Sequence, residues 1–536
     1  MDPTETLDPI TVEVLWTRLI SVIDEAALAL HRTSFSTVVR ESHDYTCMVL
    51  APDGQSVAQA TRSIPSFIGT LPMSVRAFLV KYPADTLRPG DVIISNDPWI
   101  GTGHLPDLTI AAPIFHGDTL VGFAGSIAHM ADIGGRRRAP DNKDIYEEGL
   151  QIPILKLYEA GQRNETLYDI IRQNVRVPDE VSGDMHAMVG ACQRMGTGVT
   201  DLLAEYAMAD MWGLANRIMD LTEVAMRRAI EQIPDGIYSS TTKIDSFDSQ
   251  NSLEMHCRID VRGAELVADF AGSSPQNPSP LNSVLGYTQA YSTYALKCVL
   301  LPDVPNNEGN FRPITIQAPD GCFLNPKYPA AVEARATVGH YCTSAIFNTL
   351  AKALPDRVPA ESGIPLHGFA MSGWNNDDRP FSTIFFFNGG QGARPDQDGI
   401  STLSFPTNVS TTPVEVLERG VPVRIHDKSF LPGSGGAGRY RGGLGQRVAM
   451  EITSPRPVTL VVLSQRLNFP PVGRNGGENG SLERILLNGD EVEGGKPFRL
   501  NKGDVITLDL PGGGGFGAVA ERLRDRHEAD LKDGLV

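Results

Sequence analysis

Four side chains able to hold a metal ion, His104, Asp107, His129 and Asp132, fall within the single stretch 95–135, SNDPWIGTGHLPDLTIAAPIFHGDTLVGFAGSIAHMADIGG. Thr109 to Phe115 is apolar and partly β-branched, His116-Gly117-Asp118 has turn chemistry, and Thr119 to Ala128 is again strand-like. A two-residue turn at Gly117-Asp118 sets Asp107 opposite Ala128 and Pro106 opposite His129. Asp107 and His129 then lie about 5–7 Å apart at their side-chain bases, with His104 on the same loop. Two imidazoles and a carboxylate at one strand end form a ligand set for a divalent ion. Asp44, at the mouth of an earlier strand, is placed to join them. Asp132 either binds the ion or holds a ligand imidazole from behind. The competing account is structural: His104 and Asp107 cap the loop and His129 sits at the sheet edge. With nitrogen and oxygen donors and no thiolate, zinc, manganese and iron all remain open.

The elements that must position these residues can be read in order. Asp8-Pro9 is a cap followed by Pro at the first helical position. Ile10, Val14, Leu15, Leu19, Ile23, Ala26 and Leu30 then recur at helical spacing, which predicts one long helix ending near Arg40. Two short strands flank the turn Pro52-Asp53-Gly54, a helix covers Met73 to Tyr82, and a buried strand leads into the stretch 95–135. Helices follow at Leu167 to Val175 and, as a long pair, within Asp179 to Ile233. After Pro234-Asp235-Gly236 the texture turns to strands, with Arg262-Gly263 as a hairpin turn, then helices near 283–301 and 334–354. The last part is glycine-rich and strand-rich and closes with a polar helix. The expectation is an α+β, multidomain chain of mixed sheets and long helices. Residues 1–235 carry the metal site and a helical segment, 236–419 form a central α+β domain, and 420–536 are β-rich with a terminal helix.

The chain has 536 residues, too many for one core. Its net charge of −17 argues against nucleic acid or an anionic membrane as the main partner. No basic-then-apolar leader and no run of about 18 apolar residues is visible, so the expectation is a cytoplasmic protein with no membrane span. Six cysteines without a CxxC pair read as buried, reduced thiols. GSGGAG at Gly433 to Gly438 matches the letters GxGxxG, but Arg439-Tyr440-Arg441-Gly442-Gly443 opens no helix. With no GxxxxGK[ST] either, these glycines read as turns and the chain is not expected to bind ATP itself. The run Arg136-Arg137-Arg138 beside the candidate site is either a solvated surface or an anion contact.

Several long motifs, SNDPWIGTGHLPD, AHMADIGG, IYEEGLQIP, NNEGNFRPI, NPKYPAAVEAR, GGQGA, PVEVLE and SGGAGRYRGGLG, together resemble the hydantoinase B/oxoprolinase family over nearly the whole chain. That resemblance implies a division of labour. A partner ATPase subunit of the hydantoinase A type binds ATP and phosphorylates a lactam or amide oxygen, and the subunit resembling this chain completes the reaction at a metal centre. It implies His104, Asp107 and His129 as ligands, matching the carboxylase relatives, and Asp44 as a further ligand, matching the lactamase relatives. The implied activity is ATP-dependent hydrolysis of a cyclic amide such as a hydantoin or 5-oxoproline. The alternatives are ketone carboxylation and a non-catalytic scaffold for the ATPase. Arg136 would steady the leaving phosphate, and Glu148 would be a base or a structural anchor. A hetero-oligomer such as (αβ)2, inactive without its partner, is expected.

Overall fold

Asp8 accepts hydrogen bonds from the Ile10 and Thr11 amides and starts the helix Pro9–Thr33, whose face of Val12, Leu15, Leu19, Ile23 and Leu30 is buried. The computed structural model describes residues 8–136, 138–247, 252–363, 367–494 and 496–536. The helix is shorter than its periodicity predicts. The Phe35 and Ser36 amides turn to the Asp184 carboxylate at 2.7 and 3.2 Å, and Ser36 then caps a separate turn, Thr37–Arg40.

That break returns the chain to a seven-stranded sheet in the order Ser56–Gln59, Tyr45–Leu50, Thr119–His129, Asp107–His116, Val92–Ser95, Leu155–Glu159, Gln162–Arg163. Tyr45–Leu50 is buried along its whole length, as a strand covered on both faces must be. The helices Pro9–Thr33, Thr70–Lys81 and Pro178–Glu205 pack on this sheet, and Trp212–Ile230 on the first of them.

A second sheet runs Ile314–Gln317, Glu265–Asp269, Ser252–Arg262, Gly236–Asp245. The tight turn here is Gly263-Ala264, since Arg262 pairs with Glu265. The paired helices Leu285–Leu300 and Arg335–Leu350 join this sheet to the first body, so both share one hydrophobic core. A separate core, including Phe369, Phe385, Val448, Leu460, Ile485 and Leu508, lies between two further sheets. One of these combines His367–Trp374 and Pro380–Phe387 with Val458–Val462 and Phe498–Leu500. The architecture is α+β and multidomain.

The glycine-rich segments lie backbone on backbone. A Cβ on Gly390 would fall 1.8 Å from the Gly443 carbonyl oxygen, and one on Gly442 1.9 Å from that of Gly513. The Gly436, Gly443 and Gly513 amides donate to the Gly513, Gln391 and Gly443 carbonyls at 2.8–2.9 Å. Close packing of main chain against main chain, rather than a phosphate cradle, accounts for these glycines. All six cysteines are free thiols, and Cys298 alone among them is partly exposed.

Candidate metal centre

The hairpin turn begins as the sequence predicts and then shifts. His116 pairs with Thr119 and Phe115 with Leu120, but Ile114 pairs with Gly122, leaving Val121 as an extra residue. This bulge moves the register by one, so Asp107 stands opposite His129 rather than Ala128. The consequence is large. A one-residue slip reverses which face a side chain occupies, and here it puts Asp107 and His129 on the same face. The His129 amide also donates to the Asp44 carbonyl at 3.0 Å, which fixes Asp44 beside it on the neighbouring strand.

His104 is held by its loop. Asn96 donates to the Leu105 and Leu150 carbonyls at 2.8 and 2.9 Å and accepts from the Ile152 amide at 2.6 Å, and the Met130 amide donates to the Pro106 carbonyl at 2.8 Å. The outcome is a buried trio. Asp107 Oδ1 lies 2.8 Å from His104 Nε2 and 2.9 Å from His129 Nδ1, and one donor atom from each residue fits within 4.8 Å of the others. His104 Nε2 approaches out of line for a hydrogen bond, and His104 Nδ1 is buried with no partner.

Arg335, the first residue of the helix Arg335–Leu350, reaches Asp107 Oδ2 with its guanidinium. It is 4% exposed, and its Cζ sits 3.9 Å above the Tyr287 ring. Gly103, at φ +90°, allows this approach, since a Cβ there would meet Arg335 Cδ at 2.8 Å. Burial first, and the Arg335 charge next, push the His104 imidazole down to about 3. Burial works against ionisation of Asp107, yet the neighbouring His104 and His129 imidazoles and the Arg335 guanidinium hold its carboxyl well below the usual range. With Arg335 as the permanent cation, Asp107 is a carboxylate and His104 a neutral imidazole, the protonation states a metal ligand needs.

Asp44 stands beside the trio rather than in it. Its carboxyl is raised to about 7, by burial and then by the Asp107 charge, while Arg335 and Arg138 pull it down. Asp132 is turned away: Arg176 holds its carboxylate through both the main-chain amide and the guanidinium, the latter at 2.7 Å, and the Gly134 amide donates at 3.4 Å. Arg136 is half exposed and paired with Asp141 at 2.7 Å and Glu147 at 3.4 Å. Arg137 lies outside the described residues.

Glu148 is fully buried, and its Oε1 accepts the Val332 and Glu333 amides at 2.8 Å each. It thereby anchors the segment that leads into Arg335. Burial, then the Glu333 charge, raise its carboxyl well above the ordinary 4.5, and its Oε2 has no partner. In the folded chain this carboxyl keeps its proton to higher pH than when unfolded. Stability from this group therefore declines as pH rises from about 4.5 through the raised folded value. Glu148→Gln, which keeps an oxygen for both amides, is expected to preserve stability at neutral pH and flatten that decline. Glu148→Ala leaves two buried amides without an acceptor and is expected to cost about 1–3 kcal/mol. Denaturant unfolding across a pH series measures both.

The Hydantoinase B/oxoprolinase family pattern matches residues 8–519. The chain belongs to that family. Among its relatives is the putative B component of the D-/L-hydantoinase of Pseudomonas sp. (strain NS671), 30% identical over 99% of this chain and 93% of that protein. The caprolactamase beta subunit of Pseudomonas jessenii is also 30% identical, over 99% of this chain and 94% of its own length. The crystal structure of the ATP-dependent caprolactamase from that organism superposes with a TM-score of 0.92 at 28% identity, covering 99% of this chain and 95% of that one. A nucleotide-free acetone carboxylase structure shares the fold, with a TM-score of 0.89 at 18% identity over 99% of this chain and 78% of that one.

In this hydantoinase B-family chain the residues sequence reasoning passed over are Arg335 and Tyr287. Arg335 closes the motif NPKYPAAVEAR, so a signal was present, but nothing in the motif says that its arginine meets a carboxylate far away in the chain. Among the described residues no helix is long and apolar enough to cross a membrane.

Proposed function

We propose that this chain is the metal-dependent subunit of an ATP-dependent ring-opening amidohydrolase of the hydantoinase, 5-oxoprolinase or lactamase kind. A partner ATPase subunit of the hydantoinase A type binds ATP and phosphorylates the amide oxygen of a cyclic substrate, and this chain completes the hydrolysis. The observation that carries the reading is the buried trio His104, Asp107 and His129 around one carboxylate oxygen. The names of the relatives, which mark them as components of larger enzymes, support a heteromeric assembly, which in this reading is of the (αβ)2 kind in a cytoplasmic setting.

The donor set fits a divalent ion. Nitrogen and oxygen donors without thiolate suit zinc, manganese or iron, and the unpartnered His104 Nδ1 shows an imidazole not placed to serve a hydrogen-bond network. His104, Asp107 and His129 would hold the ion, with Asp44 as the further ligand from the adjoining strand. When bound, such an ion supplies Lewis acidity and lowers the pKa of water towards about 7. The chain's own residues supply the setting. Arg335 keeps Asp107 ionised and fixes its orientation, and Glu148 fixes the backbone that delivers Arg335. Burial of the trio excludes bulk water, so the charges act at low dielectric. Phosphorylation is needed because an unstrained amide is a poor electrophile.

The test is turnover of this chain assembled with its ATPase subunit on hydantoin, 5-oxoproline and caprolactam, each with and without ATP. ATP-dependent ring opening of one of them is expected. Carboxylate formation from a ketone and bicarbonate, with no ring opening, would replace this reading by the carboxylase one.

A further inference from the structure

A cleft of about 890 Å³ opens between the face carrying His31, His43 and Arg62 and the segment 402–411. Three non-glycine residues in the left-handed region line it: His43 at φ +57°, Thr402 at +50° and Asn408 at +61°. For the β-branched Thr402 that conformation is strained, and such strain gathers where a surrounding structure holds a binding site in shape. The segment is pinned across the cleft by the Ser410 amide, which donates to the Ser42 carbonyl at 2.9 Å.

The walls offer one guanidinium, Arg62, beside hydroxyl and amide donors, in a chain whose net charge is −17. Arg62 donates to His43 Nε2 at 3.2 Å and has no carboxylate partner among the described residues. Since Nε2 accepts there, the His43 proton sits on Nδ1, directed at Ser410 Oγ 3.2 Å away. The His31 ring stacks on His43 at 4.8 Å, and its Nδ1 has no partner. Burial first, with Arg62, Arg40 and Arg32 against Glu41, holds the His31 imidazole below its usual range. Asp24, the carboxylate in the cleft, is taken up by the Thr61 amide and hydroxyl at 2.7 Å each. The residue after His43 is Asp44, whose carbonyl accepts from the His129 amide, so the chain that forms this wall leads to the strand end where the trio sits.

Arg136 is held by Asp141 and Glu147, and Arg335 by Asp107, whereas Arg62 opens onto this cleft with no carboxylate partner among the described residues. We propose that this cleft binds a phosphoryl anion through Arg62 and Ser410, either on the activated amide or as the phosphate it releases. The assignment of the phosphoryl source rests on the function proposed above; the binding site does not.

Calorimetric titration of the assembled, metal-loaded protein with inorganic phosphate and with phenylphosphonate tests it. At least one probe is expected to bind at one site per chain, and Arg62→Gln to weaken it by about tenfold to a hundredfold. Ser410→Ala is expected to weaken it less, and His104→Ala to leave it unchanged. Tighter binding of phenylphosphonate points to the activated amide, and tighter binding of phosphate to the released product; either supports the site. No binding of either probe, or equal binding by Arg62→Gln, overturns it. Arg62 is exposed, so its replacement does not threaten the fold. Phosphate binding that persists in a protein with no ring-opening activity would leave this site standing and remove the proposed function.

Discussion

Replacing His104 by alanine is expected to lower ATP-dependent ring opening in the assembled complex by roughly 10³-fold or more, with bound metal lost in parallel. The size follows from what the trio does. His104 contributes one of three donors that converge within 4.8 Å, and it is neutral because burial and Arg335 keep a proton off it. Without it one imidazole and the carboxylates of Asp107 and Asp44 remain, and an ion whose Lewis acidity lowers the barrier by several kcal/mol is held far more weakly. His129→Ala is expected to match it, since His129 holds the same Asp107 oxygen from the other side. Elemental analysis, initial rates and size-exclusion of the complex separate the causes. Lost metal and turnover with intact assembly support a catalytic centre. Full turnover by both variants would show that the chain serves the ATPase as a scaffold.

Why the candidate site was partly legible is a matter of range. The hairpin, its turn and the three donors lie close together in sequence, so alternation and turn chemistry were enough to bring them together. The register was not legible. The bulge at Val121 leaves no composition signal, because Val121 is as apolar and buried as its neighbours, yet it decides which residue faces Asp107. Charge partners were harder still. Arg136 was the nearest cation in the sequence, but Asp141 and Glu147, five and eleven residues further on, capture it. Arg335 reaches the site because helix Arg335–Leu350 packs beside Leu285–Leu300 with its first residue over the Asp107 loop. The early end of helix Pro9–Thr33 has the same origin, since the carboxylate that stops it belongs to Asp184 on another helix. Local periodicity sees neither contact.

Arg335→Gln is expected to destabilise the metal-free chain by about 3–5 kcal/mol, and the metal-loaded chain by clearly less. Asp107 is 1% exposed, and without a bound ion Arg335 is the permanent cation that touches it. Removing the guanidinium leaves a buried carboxylate facing two imidazoles, of which His104 resists protonation. The cost is the penalty of an unpaired buried charge rather than the worth of the ion pair. A divalent ion would supply the missing positive charge, so metal should restore much of the loss. Part of the loss is recovered within the chain as well. A guanidinium at a helix N-terminus opposes the positive end of the helix dipole, and Arg335 occupies that position. Arg335→Lys is not expected to rescue fully, because a lysine cannot both reach the carboxylate and stack flat on the Tyr287 ring. Thermal unfolding of wild type, Arg335→Gln and Arg335→Lys, each with and without added metal, gives the comparison. Equal destabilisation in both states would mean that Arg335 supports packing and not the charge of Asp107. A loss confined to the metal-free state ties the arginine to the ligand.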